Sequence, residues 1–340
     1  MGLLRSTGLW LATSLTLASA VRGQEAAEFY RGKTIEIYIG YSAGGGYDVY
    51  ARLLARHFGK HVPGNPSVVT KNMEGAGSVR LANWLATLAP RDGTVFGTIG
   101  RGAPFDKLLG RQGIQFDATR FGWIGSANNE VSACVTWHTS GITTFADLQQ
   151  KPVIVGAAGA GSDDDQFPRV INGIFGTRMQ VINGYPGGND VTLALERGEV
   201  AGRCGWSWSS IKSSRPNWIA EKKLNVVLQL GLSKHDDLKG VPLVTDLAKT
   251  DQDKAVLQLI FARQVLGRPF MAPPEVPADR LALLRKAFSD TMADPEFLKE
   301  AEKAQLEVTP MGGQELGELV NRVYRDTSEA TARTAALLVP

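Results

Sequence analysis

Thr34-Ile35-Glu36-Ile37-Tyr38-Ile39-Gly40-Tyr41-Ser42-Ala43-Gly44-Gly45-Gly46-Tyr47-Asp48 decides how the rest of the chain is read. A compact β-rich run from Thr34 to Tyr41 ends in a glycine cluster. Val49, Leu53, Leu54 and Phe58 then recur at helical spacing. Strand, glycine loop and helix in that order are the unit of an α/β sheet with helices on its faces. The unit repeats downstream. Ser67–Asn72 reads as a second strand, and Glu74-Gly75-Ala76-Gly77 leads through Ser78, a plausible N-cap, into a helix over 79–88. Thr94–Ile99 reads as a third strand.

The same grammar restarts at Val153–Ala158, followed by Gly159-Ala160-Gly161-Ser162 and a helix to Phe175. Met179–Ile182 is a short strand, and Pro186-Gly187-Gly188-Asn189 opens a helix from Asp190 to Arg197. Val200–Trp206 and Val226–Leu232 are further strands. The C-terminal part is helical. One helix follows Pro277, a short one follows Pro295, and a long final one runs from Gly312-Gly313 to near Arg333. Two α/β lobes account for this order, each a mostly parallel sheet flanked by helices.

Composition narrows the class. Glycine makes up 38 of 340 residues, about 14 more than an average usage of roughly 7% supplies. No G-X-Y period accompanies them, which excludes collagen. Hydrophobic residues at 43% and charged residues at 21% exclude wholesale disorder. The 37 basic and 34 acidic residues are interspersed, so the net charge of +3 offers no nucleic-acid or polybasic membrane surface. Arg5, the apolar run Leu9–Leu17 and Ala18-Ser19-Ala20 have the form of a secretory leader cleaved after Ala20. Export to the periplasm is therefore expected. Cys134 and Cys204 then have two open readings, a disulfide or a pair of buried thiols, because spacing does not place their Cα atoms.

The four glycine junctions carry the candidate chemistry. Unpaired backbone N–H groups and the positive end of a helix dipole face outward at each, and glycine lets an anion approach closely. Rival readings fail on residue identity. Gly46-Tyr47-Asp48 lacks the lysine of a P-loop, and no junction completes G-x-G-x-x-G. Gly205-Trp206-Ser207-Trp208-Ser209 stops one residue short of a serine-hydrolase elbow. His57 and His61 have metal-ligand spacing but no neighbouring acid in sequence, so they read as a helix end, and no metal or cofactor is expected. Asp163-Asp164-Asp165 reads as helix capping. Trp206 and Trp208 read first as core.

These motifs in this order resemble the Bug-type extracytoplasmic solute receptors of tripartite tricarboxylate transporters. The resemblance runs through Gly32–Ile35, Ser42–Asp48, Ala51–Ala55, Asn72–Ser78, Pro90–Thr94, Gly159–Ser162 and Gly184–Gly188 to the helices after Ala272-Pro273. It implies a two-lobed Venus flytrap of the type II periplasmic-binding kind. The first lobe would comprise 28–126 and 266–340, the second 127–265, with crossings near 123–135 and 265–271. It implies a small organic carboxylate as ligand and membrane permease subunits as partner, with no enzymatic step. By position, Ser42, Ala43, Gly46 and Asp48 would line one wall with Gly75, Ala76 and Gly77. Ala160, Gly161, Ser162, Gly187 and Gly188 would line the other, and Asp48 would order its loop. Trp206 and Ser207 stand where the resemblance has an acidic residue, and they join the candidate set. Three aspartates at the third junction favour a ligand with one carboxylate plus an amine or aromatic body over citrate. Two alternatives stand beside this reading: the same scaffold as a sensory receptor for a membrane signalling protein, and an exported hydrolase using Ser207 or Ser162.

Overall fold

The computed structural model describes residues 28–339; the expected leader and its cleavage after Ala20 lie outside the described residues. Among the described residues no helix is long and apolar enough to cross a membrane. The chain runs β1 (Thr34–Ile39), α1 (Gly46–Phe58), β2 (Ser67–Asn72), α2 (Val79–Thr87), β3 (Val95–Thr98), β4 (Gly122–Ser126) and β5 (Ser132–Trp137). It continues through α3 (Phe145–Gln150), β6 (Val153–Gly156), α4 (Asp163–Phe175), β7 (Met179–Ile182), α5 (Gly188–Glu196) and β8 (Gly202–Ser207). Next come α6 (Trp208–Ser214), α7 (Pro216–Ala220), β9 (Leu224–Leu230), α8 (Asp251–Ala262) and β10 (Pro269–Ala272). The last elements are α9 (Ala278–Met292), α10 (Pro295–Lys303), β11 (Met311–Gly312), α11 (Gly313–Asp326) and α12 (Glu329–Leu338).

Two sheets form, ordered β11-β4-β10-β3-β1-β2 and β7-β6-β8-β5-β9. Period-two alternation builds the first. Ile35, Ile37 and Ile39 are buried in one core with Leu53, Leu54 and Phe58 of α1. Tyr38 points to the opposite face, where its ring packs 4.5 Å from Trp84 of α2. Helices therefore cover both faces. Each sheet is mixed rather than wholly parallel. β1 pairs in parallel with β2 and β3, but β10 inserts antiparallel between β3 and β4. In the second sheet β6, β7 and β8 are parallel, while β5 lies antiparallel between β8 and β9. The inserted strands are the ones that follow a crossing. β5 arrives directly from β4 of the other sheet, and β10 returns after β9 and α8.

The crossings lie side by side, with Ala127 N donating to Arg268 O at 3.1 Å and Glu130 N to Gln264 O at 3.1 Å. Cys134 and Cys204 are directly opposed on β5 and β8, and they form a disulfide that closes 70 residues of sequence separation.

Two expectations need correction. Ser78 holds the N-cap position of α2 but makes no capping bond: it sits at φ 78°, and its hydroxyl accepts Gly100 N–H at 2.7 Å. The final helix is two helices, because Ser328 starts α12 by accepting Thr331 N–H at 3.1 Å. That restart turns α12 away from the first sheet. Its Ala335 is buried in the core of the second, against α4 and α8. The tail after Asp326 therefore packs with the second sheet and not with the lobe to which 266–340 was assigned.

Candidate functional site

A cavity of about 70 Å³ lies between the two sheets, walled from both sides. The carboxyl ends of parallel strands meet there, as the strand-loop-helix order requires. From the first sheet come the loop Gly44–Gly46, Tyr41, Tyr47 and Arg101, which follows β3. From the second come Ser162 and Asp163 at the start of α4, Gly188 at the start of α5, and Arg203, Trp206 and Ser207 of β8. Arg268 reaches in from the returning crossing.

The cavity is dominated by buried guanidinium groups. Arg101 is 2% exposed, Arg203 8% and Arg268 1%, with Arg263 behind them at 1%. Arg101 spans the lobes: Nε donates to Asp163 Oδ2 at 2.6 Å, and Nη2 to Ser132 Oγ and Ser207 Oγ at 3.0 Å each. Arg203 Nε donates to Asp164 Oδ2 at 3.1 Å and Nη1 to Gly188 O at 2.9 Å, with its plane over Trp206. Arg268 lies 4.7 Å from the Tyr47 ring centroid, donates Nη2 to Ser210 Oγ at 2.8 Å, and faces Glu130 Oε2 at 3.4 Å. Burial alone would lower the pKa of Arg101, but the adjacent Asp163, Tyr47 and Glu130 more than offset it, so its charge is held firmly. Burial pushes Tyr41 and Tyr47 up, which keeps both phenols neutral.

Several of these donors have no acceptor. Arg101 Nη1, Arg268 Nε and Arg268 Nη1 are buried without a hydrogen-bond partner among the described residues. A charged N–H in that condition is costly, and a carboxylate oxygen relieves it with short charge-assisted bonds.

Of the residues expected to line the site, Gly46, Ser162, Gly188, Trp206 and Ser207 do so. Ser42, Ala43, Asp48, Gly75, Ala76, Gly77, Ala160, Gly161 and Gly187 do not. Outside the cavity lining, parts of the glycine junctions pack against one another from opposite lobes. A Cβ on Gly77, whose φ is +61°, would stand 2.8 Å from Ala160 O and from Ser162 N across the cleft. A Cβ on Gly187 would stand 2.9 Å from Ser42 N. Ser42 Oγ donates to Asp190 Oδ2 at 2.6 Å, another link between lobes. Asp48 accepts Gly44 N–H, Arg52 Nε and Asn72 Nδ2, each at 2.9 Å, and so ties the first loop to α1 and β2.

The three aspartates do more than cap α4. Asp163 and Asp164 pair with Arg101 and Arg203, and Asp165 pairs with Arg169 while accepting Gly161 N–H at 2.9 Å. Their charges are answered within the protein, so they do not bar a carboxylate as their number in sequence suggested. His57 and His61 are not a bare helix end either, because α10 brings Glu300 to 2.7 Å from His57 and Asp294 to 2.9 Å from His61. The Lys60 ammonium lies 2.6 Å from both Asp294 and Glu296, occupying the centre of that acidic group. Neither serine candidate for hydrolysis bonds a histidine among the described residues. Ser207 Oγ accepts from Arg101, and Ser162 Oγ bonds Asp164 Oδ1 at 2.6 Å.

Sequence reasoning missed the arginines, Tyr41, Tyr47 and Glu130. The available signal was a lone charge within an apolar, strand-like run, as at Gly202-Arg203-Cys204 and Arg268-Pro269-Phe270. Such charges are rarely buried unless partnered or functional.

No family model and no curated relative matches the chain. Solved structures do. The periplasmic binding protein BugD superposes with a TM-score of 0.74 at 17% identity, covering 90% of this chain and 98% of its own. MatC from Rhodopseudomonas palustris, with bound malate, gives 0.69 at 15% identity, covering 89% and 99%. A second R. palustris protein, with adipate, gives 0.68 at 18% identity, covering 89% and 97%. The chain thus has the two-lobed α/β fold of tripartite tricarboxylate-type periplasmic binding proteins, and its structural neighbours are solute-binding proteins.

Proposed function

We propose that this protein is a periplasmic receptor that captures a small organic carboxylate between its lobes. It would deliver that solute to the permease subunits of a tripartite tricarboxylate-type transporter. The observation carrying this reading is the set of buried, partnerless guanidinium N–H groups of Arg101 and Arg268 in the interlobe cavity. A carboxylate oxygen accepts such charged N–H groups in short charge-assisted bonds, and its differential contacts with the closed state draw the lobes together. The malate and adipate in two structural neighbours agree in chemical class.

A thermal-shift screen of purified protein against mono-, di- and tricarboxylates, amino acids and amines tests it. A ligand at about 100 times its Kd adds roughly 2.7 kcal/mol of stability. Carboxylates, and no amine lacking a carboxyl group, should raise the melting temperature. Stabilisation by amines alone would reject the reading.

A further inference from the structure

We infer that the cavity selects a short monocarboxylate and excludes dicarboxylates, an inference that rests on the carboxylate reading above. The charge count leads to it. Four buried guanidinium groups, those of Arg101, Arg203, Arg263 and Arg268, are answered by three carboxylates, those of Asp163, Asp164 and Glu130. Other nearby acids lie outside this count. Asp106 pairs with Arg111 at 2.6 Å and Asp165 with Arg169 at 2.9 Å, while half-buried Asp190 bonds Ser42 outside the cavity lining. One positive charge is left over. It lies where Arg101 and Arg263 share Asp163, at 2.6 and 3.7 Å.

The donors without acceptors point to the same place. Arg203 commits its nitrogens to Asp164 and Gly188, so it has little left for a ligand. Arg101 Nη1 and the Nε and Nη1 of Arg268 have no partner among the described residues, and both side chains line the cavity. One carboxylate brings the cluster to neutrality. A second would enter a buried site with no uncommitted cation among the described residues, the arrangement that buried charges tolerate least. Glu130 enforces the limit. It holds Arg268 from one side, and is itself fixed by Ser209 Oγ at 2.5 Å and Asn128 Nδ2 at 3.0 Å. Size acts in the same sense. The cavity of about 70 Å³ favours a short body over a long one against Tyr41, Tyr47 and Trp206.

Isothermal titration separates charge from size. Pyruvate and oxalate have equal numbers of non-hydrogen atoms and differ in charge, whereas hexanoate keeps the charge and lengthens the body. Pyruvate should bind about tenfold or more tightly than oxalate, hexanoate, malate and adipate, a difference of at least about 1.4 kcal/mol. Glu130→Gln adds one positive charge and should shift the pyruvate-to-oxalate ratio toward oxalate by about tenfold. Asp163→Asn makes the same charge change at the start of α4, and serves if Glu130→Gln disturbs the crossing. Tighter binding of oxalate or malate by the unaltered protein overturns this inference and leaves the carboxylate reading standing. So does an unchanged ratio in both folded variants. Binding of amines with no response to any carboxylate overturns both.

Discussion

Arg268 holds its charge over the Tyr47 and Tyr50 rings with two nitrogens unpartnered and one carboxylate at 3.4 Å. Its shape counts as much as its charge. Arg268→Lys keeps the cation but loses the planar fork and the stacking, so carboxylate affinity should fall by roughly 10- to 100-fold. Titration of the ligand found in the screen measures it, and an unchanged Kd would remove Arg268 from the binding surface. Asp48 acts at the same scale without touching the cavity. Burial works against its charge, but Arg52, Gly44 N–H and Asn72 outweigh that and hold its pKa below the usual carboxylate value. A lowered folded-state pKa contributes stability above the unfolded value near 4, and that contribution is lost as pH falls through the folded value. Asp48→Asn should therefore lower stability at neutral pH and flatten its decline as pH falls below about 4. Denaturant melts across that range give the comparison.

Loops and strands act as units at the next scale. The loop at Gly77 fits against Ala160 and Ser162 only because it carries no side chain and takes a positive φ. Gly77→Ala should keep each lobe folded but prop the cleft open. Circular dichroism should stay unchanged, while the radius of gyration by small-angle scattering rises and affinity drops. A variant as compact and as tight-binding as the parent would show that the contact is dispensable. Between β5 and β8, the Cys134–Cys204 bridge constrains the second sheet across 70 residues. Its removal by Cys134→Ser with Cys204→Ser should cost about 2–4 kcal/mol of stability. A melt indistinguishable from the parent under non-reducing conditions would contradict that.

Across the whole molecule, Arg101 is the point at which the lobes recognise each other. It leaves the first sheet after β3 and meets Asp163, Ser132 and Ser207 of the second. The tail contributes as well, since α12 completes the core of the second sheet with Ala335 and Val339. Ending the chain after Thr327 removes that cover and should lower the melting temperature by on the order of 5 °C. Retained stability in the truncated protein would make α12 an accessory.

Much of this architecture is legible from residue order. Ile35, Ile37 and Ile39 alternate, and Leu53, Leu54 and Phe58 recur at helical spacing, so strand, loop and helix follow from local periodicity. Glycine positions mark the junctions for the same local reason. What those glycines face is not local. Gly77 and Gly159 are far apart in sequence and meet only because two sheets stand opposite each other. Arg101, Arg203, Glu130 and Arg268 carry no motif, since each is a single charge in a different element. The partners of His57 and His61 also come from a distant helix. Sequence alone determined the element order, the glycine junctions and the apolar faces, because these depend on neighbours within one or two turns. The tertiary structure alone decided that the glycines lock lobe to lobe and that four distant arginines share three acids. Those outcomes depend on long-range contacts, where burial turns isolated charges into one coupled cluster.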